Sequence, residues 1–419
     1  MKINGKHWTY CTNVHPGETL EQTIHNIKNY VIPVKNHVSP AKPFGLGLRL
    51  SYQACLDLLK SGQLKKFYDL CKENDLYIFT INGFIYGHFH GKRVKEEVYY
   101  PAWDSFERFE YTNMLIKILA YLLPKKIDGS ISTVPIGLKS NFEDKFQIEK
   151  AVKLLVNSLV EVFSVFESTG KHIQIALEPE PGCFLENVDQ VISFFQNYIY
   201  SKKTLSLLEE QIGKSEKFCR TFLKNHLGIC YDTCHMAVMF EDNDNSIKKL
   251  LNAGIPIFKI HISSALTIDS FNKEIRNYLV SFDEEIFLHQ VVEKYGNTVN
   301  FFSDIPQSLQ YIDNKEGIKN SQWRVHFHVP IFLNKLGKFS TTQDYIKNVL
   351  SQYNKIGCDH FEVETYTWNV LPEKYRNNNI VTSIARELNW VLDFLRWKNQ
   401  YDHKDKTKNG CLYGIEQVI

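Results

Sequence analysis

The sequence predicts an α/β fold, a closed (β/α)8 TIM barrel, on three observations. Strand-like and helix-like segments alternate from end to end, as in a parallel sheet with helices outside it. Several strand-like segments keep one apolar face and end in carboxylates or imidazoles on the other, and barrel active sites sit at strand C-termini. No glycine-rich fingerprint follows the first strand, which sets aside a doubly wound sheet.

Taken in order, strands are expected near 6–13, 44–50, 76–82, 130–136, 172–178, 227–232, 257–263, 323–329 and 360–366. Between most of them lie amphipathic helices. One over about 18–31 aligns Leu20, Ile24, Ile27 and Val31, and one over about 64–73 aligns Leu64, Phe67 and Cys71. A long one over about 144–168 carries Ile148, Val152, Leu155, Leu159, Val162 and Phe166. The segment 341–353 opens on Thr341 with Asp344 three residues on, an N-cap signature. A Trp- and Leu-rich helix over about 380–397 closes the structure. This gives nine strands for eight places. The stretch 268–322 shows no β–α unit and reads as a large insertion between strands 7 and 8. WRVHFHVP (323–330) either belongs to that insertion or displaces another of the nine. Residues 1–400 read as a single domain, and 401–419 as a polar, frayed tail.

Composition excludes more than it assigns. A chain of 419 residues, 43% hydrophobic and 23% charged, is an ordinary globular protein with room for a large core. A net charge of +2 offers no basic footprint, so no nucleic-acid partner is expected. The nine cysteines are scattered with no CxxC pair, which suits reduced thiols in the cytoplasm. The opening MKINGKHWTYCTN has no apolar leader and no stretch is long enough to span a membrane, so the expected location is cytoplasmic.

The chemistry lies on the polar strand faces. IQIALEPEP, LGICYDTCH, FKIHISS and HFEVETYTW turn Glu178, Asp232, His261 and the pair Glu362 and Glu364 away from their apolar sides. Glu178, Asp232, His261 and either Glu362 or Glu364 form a mixed oxygen and nitrogen set. Such a set suits Mn²⁺, Mg²⁺, Co²⁺ or Zn²⁺. Each residue alone also fits a strand-end polar group bonded to backbone; their joint occurrence favours an ion. His235, three residues after Asp232, is a candidate for substrate binding, for support behind the ligands or for a helix cap. His326 and His328 alternate with Val325 and Phe327, offering a substrate contact, a competing metal ligand in His328, or a polar face on the insertion. The loop 82–99 holds Asn82, His88, His90, Lys92 and Lys95 and reads as a substrate loop or a solvated basic one. Arg49 shares a face with Gly45 and Gly47, and fits either an anion grip or a salt bridge. Lys259 shares the inward face of His261 and is a further substrate-binding candidate.

This pattern resembles the xylose-isomerase-like TIM-barrel superfamily. The matching residues are Glu178 in IALEP, Asp232 and His235 in ICYDTCH, His261 in KIHIS, and Glu362 or Glu364 in FEVET. The resemblance implies Glu178, Asp232, His261 and Glu364 as metal ligands, with Glu178 and Glu364 also acting as proton shuttles. More closely, INGFIYGHFHG, VKEEVYYPAW, LEPEPGC, DTCHMAV, WRVHFHVP and VETYTWNVLP resemble the EboE family of metabolite-traffic proteins. That implies movement of a secondary-metabolite precursor. The expected function is a divalent-metal-dependent isomerase or epimerase of a sugar, a sugar phosphate or such a precursor. The alternatives are a phosphoester hydrolase of the endonuclease-IV type, with His88, His90, His326 and His328 holding further ions, and a non-catalytic carrier.

Overall fold

The computed structural model describes residues 1–314, 321–376 and 379–412. Eight strands form the barrel: β1 Lys6–Tyr10, β2 Phe44–Arg49, β3 Leu76–Asn82, β4 Gly129–Thr133, β5 Ile173–Leu177, β6 Leu227–Asp232, β7 Ile257–Ile262 and β8 His360–Val363. Strands β2 to β8 pair parallel in chain order, and β8 pairs parallel with β1. The seam between β1 and β2 is closed by one parallel bridge, Cys11 to Gly47. Around it the Thr9 hydroxyl donates to the Gly45 carbonyl at 2.6 Å and accepts from the Gly47 amide at 3.2 Å. Gly47 has to be glycine because a Cβ there would collide with the Glu362 carboxylate inside the barrel.

The ninth expected strand does not belong to the barrel. Gln322–Val329 lies in a second, antiparallel sheet with Ser264–Ile268, Val291–Tyr295, Thr298–Phe302, Lys335–Leu336 and Phe339–Thr341. Helices Lys273–Val280 and Ile305–Asp313 complete this insertion between β7 and β8. It begins directly after β7 and runs to Thr341, wider than 268–322, because its first and last strands are short and carry no β–α signature. Residues 315–320 of the expected span lie outside the described residues.

The expected helices form, with adjustments. Leu20–Asn26 runs through a π turn at Ile27–Val31 into Ile32–Val38. Gln63–Glu73 and Lys145–Thr169 lie where their periodicity places them. Helix Gln343–Gln352 starts one residue later than Thr341 would place it, with Thr342 at the N-cap position and making no side-chain cap bond. The Thr341 hydroxyl donates to the Leu333 carbonyl at 2.6 Å, and the Thr342 hydroxyl accepts from the Ala265 amide at 2.8 Å. Both side chains tie the helix to the insertion, and the Thr341 hydroxyl also accepts from the Gln343 amide, the first of the helix, at 3.3 Å. The last helix runs Ile380–Leu412, past the start of the expected tail, and 413–419 lie outside the described residues. No helix among the described residues is long and apolar enough to cross a membrane.

That last helix carries a buried acid. Glu387 is 1% exposed and one of its oxygens accepts from the Thr365 hydroxyl at 2.7 Å and from the Ile331 amide at 3.1 Å. It fastens the β8 loop to the insertion just after its strand Gln322–Val329. Burial raises its carboxyl from 4.5 to about 7. The folded state therefore holds this proton more tightly than the unfolded chain. The stabilisation is complete below pH 4.5 and lost as pH rises through about 7. The loss amounts to about 3 kcal/mol at most. Glu387→Gln keeps the acceptor without the charge, and is expected to raise stability at pH 8 by about 2 kcal/mol. It should change little at pH 4.5 to 5, with urea unfolding as the measurement.

Candidate metal centre

The strand ends converge on one imidazole. His261 is fully buried near the end of β7, and its Nδ1 donates to Glu178 Oε1 at 2.8 Å. Glu364 Oε2 lies 3.3 Å and Asp232 Oδ2 3.6 Å from the same nitrogen. One oxygen from each acid and this nitrogen all lie within 4.8 Å of one another. Glu178 and Glu364 sit one residue past β5 and β8, yet their amides extend the ladder, donating to Thr133 and Ile262 carbonyls at 3.0 and 3.1 Å. Their positions are therefore set by the sheet.

Each acid is held by one oxygen and offers the other. Asp232 caps helix Thr233–Val238, its Oδ1 accepting from the His235 amide at 2.9 Å and the Ser263 hydroxyl at 2.7 Å. Glu364 Oε1 accepts from the Asn13 and Asn82 amides at 2.8 and 3.1 Å. Asp232 Oδ2 and Glu178 Oε2 are buried with no hydrogen-bond partner, a costly state for carboxylate oxygens. Three acids around one imidazole nitrogen, two of them with an unpartnered oxygen, fit a divalent ion. The chemistry of the donors, hard oxygen with one nitrogen, suits the magnesium-to-zinc range.

Glu362, the alternate ligand, faces the other side of His261. Its Oε2 accepts from His261 Nε2 at 3.0 Å and from Lys259 Nζ at 2.5 Å. It orients the imidazole so that Nδ1 meets the acids. Burial opposes its charge, but Lys259 and His261 hold its carboxyl at about 2. Burial likewise opposes charge on Lys259, and Glu362 overrides it, so this lysine stays a buried cation. Burial also works against the His261 charge, and Cys230, Glu178 and Glu364 outweigh it. The two shuttle candidates are driven apart. Burial lifts Glu178 to about 7 despite His261, whereas at Glu364 the pull of His261 and His328 exceeds burial and lowers the carboxyl.

Beside this centre three histidines meet. His326 Nε2 lies 3.1 Å from His235 Nε2 and 3.1 Å from His328 Nε2. His235 Nδ1 donates to the Pro179 carbonyl at 3.1 Å, and His328 Nδ1 to the Glu364 carbonyl at 2.7 Å. Gln290 donates from Nε2 to the Pro181 carbonyl at 3.1 Å, so its Oε1 accepts from His326 Nδ1 at 2.7 Å. In a neutral ring these bonds leave the Nε2 atoms of His235 and His326 as acceptors. Burial keeps His235 at about 4 and His326 well below its ordinary value, so both rings are neutral. The Tyr366 hydroxyl stands 3.5 Å from His326 Nε2, and these rings form ion-sized sets with other donors: His235 and His326 with Glu180, His235 and His328 with Asp232, and His326 and His328 with Cys234.

Other expected substrate residues are occupied elsewhere. Arg49 pairs with Glu18 at 3.2 Å and donates to the Gly17 carbonyl at 2.5 Å and to the Gly87 carbonyl, the salt-bridge role. His88 is exposed, and His90 Nε2 donates to the Asn13 carbonyl at 2.6 Å, so these two form no ligand pair. Lys95 is tied to Asp304 at 2.7 Å, and Lys92 is exposed. Sequence reasoning missed Asn13, Tyr99, Glu180, Gln290 and Tyr366. Glu180 accepts from the Tyr99 hydroxyl at 2.6 Å and lines the cavity over the centre with Tyr366. The repeated EP in LEPEP and the two-residue step from Glu364 to Tyr366 were the available signals.

No family model matches the chain, and no curated protein matches it. Solved structures similar to it include the IOLI protein with a zinc atom, at 14% identity over 93% of this chain and 98% of that one, TM-score 0.44. A xylose isomerase-like TIM barrel protein from Mycobacterium smegmatis, in complex with magnesium, is 9% identical over 90% and 88%, TM-score 0.46. L-ribulose 3-epimerase is 9% identical over 99% of both chains, TM-score 0.47.

The different positions of Asp232 and Glu362 predict different losses. Asp232→Ala is expected to abolish binding of the ion at this centre in metal analysis and calorimetry. Glu362→Gln is expected to retain the ion with affinity roughly 10- to 100-fold weaker. Equal losses in the two variants would contradict the supporting role of Glu362.

Proposed function

We propose that the chain is a metal-dependent isomerase or epimerase, moving a proton between adjacent carbons of a sugar or related hydroxycarbonyl compound. The observation that carries this reading is the facing pair Glu178 and Glu364, held by β5 and β8 on either side of His261 Nδ1 with opposed protonation tendencies. Two acids driven apart in this way can take a proton on one face of a carbon and supply one on the other. A bound divalent ion supplies the polarisation of adjacent substrate oxygens that acidifies the C–H between them. Glu364, held ionised and fixed by Asn13 and Asn82, takes the proton. Glu178, across the centre from Glu364, gives one back. The Nδ1 of His235 is engaged with a backbone carbonyl, and the side chain lines the cavity.

Incubating the metal-loaded protein in D₂O with a panel of ketoses is expected to place deuterium on the carbon between the coordinated oxygens. Glu178→Gln and Glu364→Gln should each slow that exchange by about 10²- to 10⁴-fold. Ion binding without exchange into any member of the panel would sink this reading. It would leave the carrier that the EboE resemblance implies.

The three-histidine cluster favours one second reading, a phosphoester hydrolase with two or more ions, since paired ions clamp the attacking and leaving oxygens. Ion counting separates the two. The isomerase reading expects one ion lost on Asp232→Ala. The hydrolase reading expects at least one more, lost on His326→Ala with the first retained.

A further inference from the structure

Two buried side-chain oxygens on residues lining the cavity over the centre have no hydrogen-bond partner, Glu178 Oε2 and Asn13 Oδ1. The first belongs to the donor set for the ion. The second does not, and a buried acceptor left unmet is costly, so it calls for a donor. Asn13 follows β1 in the single turn Thr12–Val14 and is 2% exposed. Its Nδ2 donates to Glu364 Oε1 at 2.8 Å. An amide oxygen turned to that carboxylate would set two acceptors against each other, so the orientation of the amide is fixed. His90 Nε2 donates to the Asn13 backbone carbonyl at 2.6 Å and ties this turn to the loop after β3.

Asn82 makes the contrast. It gives its Nδ2 to the same Glu364 oxygen at 3.1 Å, but its own Oδ1 accepts from the Phe84 amide at 3.1 Å. Both ends of the Asn82 amide are used within the protein, and one end of the Asn13 amide is not. That open end stands one carboxylate away from the ligand atoms. Glu364 Oε1 takes the two amides, while its Oε2 lies 3.3 Å from His261 Nδ1 in the candidate donor set. A donor bonded to Asn13 Oδ1 therefore sits beside the group that the ion holds.

We propose that Asn13 determines specificity, its Oδ1 accepting a hydrogen bond from a third substrate oxygen, a hydroxyl on the carbon beside the two oxygens held by the ion. The substrate is then a polyhydroxylated carbonyl compound with oxygens on three adjacent carbons at its reacting end. This rests on the metal-centred reading for the first two oxygens. A compound without the third hydroxyl leaves the Asn13 oxygen buried and unmet, and a site of this kind discriminates against it. Asn13 touches the hydroxyl and not the transferred proton, so it selects the substrate and leaves the proton transfer to Glu364.

Three hydroxamic acids separate the ion contact from the third oxygen. Acetohydroxamate offers two adjacent oxygens to the ion. Glycolohydroxamate adds a hydroxyl on the next carbon, and methoxyacetohydroxamate keeps that oxygen but cannot donate. Calorimetric titration of the zinc-loaded full chain is expected to find glycolohydroxamate roughly tenfold tighter than acetohydroxamate, the gain of one well-placed hydrogen bond. Methoxyacetohydroxamate should bind no tighter than acetohydroxamate. At saturating zinc, Asn13→Ala is expected to erase the glycolohydroxamate advantage, which also controls for the intrinsic affinity of each probe for zinc. Equal binding of acetohydroxamate and glycolohydroxamate by the unaltered chain overturns the role of Asn13 and leaves the metal-centred reading standing. It is the result expected if a trapped water or the ion itself already meets the amide oxygen. An advantage that methoxyacetohydroxamate shares, or that survives Asn13→Ala, overturns it in favour of a contact elsewhere in the cavity. The comparison of the three probes on the unaltered chain decides the matter should Asn13→Ala fail to fold. Failure of acetohydroxamate to bind the zinc-loaded chain overturns both readings.

Discussion

The rest of the structure depends on the imidazole of His261 and the acids on both of its nitrogens. Four carboxylates press on one buried ring: Glu362 at Nε2, and Glu178, Asp232 and Glu364 around Nδ1. Like charges about 4 Å apart repel by about 4 kcal/mol even at an effective dielectric of 20. Such a cluster persists only with compensating positive charge or retained protons. Lys259 supplies one charge from below, the imidazolium another, and the proton that burial leaves on Glu178 removes part of the repulsion. A divalent ion among the upper three acids would meet the same demand. It would also let His261 bind as a neutral ligand.

The insertion bears on that cluster because it dries it. Phe89 from the β3 loop, Phe287 from the insertion and Tyr366 from the β8 loop pack with ring centroids 4.9 to 5.1 Å apart. All three line the cavity above the acids. The Val94 and Lys95 amides both donate to the Ile286 carbonyl, at 2.8 and 2.9 Å, and the Lys95–Asp304 pair locks the same junction. Excluding water strengthens each charge interaction below. A barrel without this lid would hold the same residues in a softer field.

The barrel and its upper acids were legible in the sequence because a strand announces its two faces by alternation. Glu178, Asp232, His261 and Glu364 each end an apolar run, and each stands where that alternation aims it. The sequence could not distinguish Glu362 from Glu364, since both point inward. Height in the barrel separates them, and height depends on the register of β8 against β7, where Glu362 lies beside His261. Lys259 and Arg49 point inward as well, but their partners, Glu362 and Glu18, are distant in sequence. The insertion sheet was illegible for a different reason. Its strand from Val325 to Val329 buries both faces as a barrel strand does, while Thr298–Phe302 is largely exposed and carries no buried apolar face to announce it.

The strand that upset the count is also what gives the site its asymmetry. His326 and His328 come from the insertion and His235 from the barrel, so the three-nitrogen cluster exists only when the two sheets are joined. Asp232 stands between the two clusters, but its Oδ1 already accepts two hydrogen bonds and its Oδ2 faces His261. It cannot serve both clusters at full strength without releasing Ser263 or the helix cap. The histidines then draw on Cys234, whose thiol burial keeps protonated, beside His326 and His328, or on Glu180 beside His235 and His326. Burial raises the Glu180 carboxyl well above the carboxylate range, which weakens it as an anionic ligand. The acid-rich centre is thus the stronger of the two for a hard divalent ion, and chemistry that needs a single ion is the better match to this arrangement of charge.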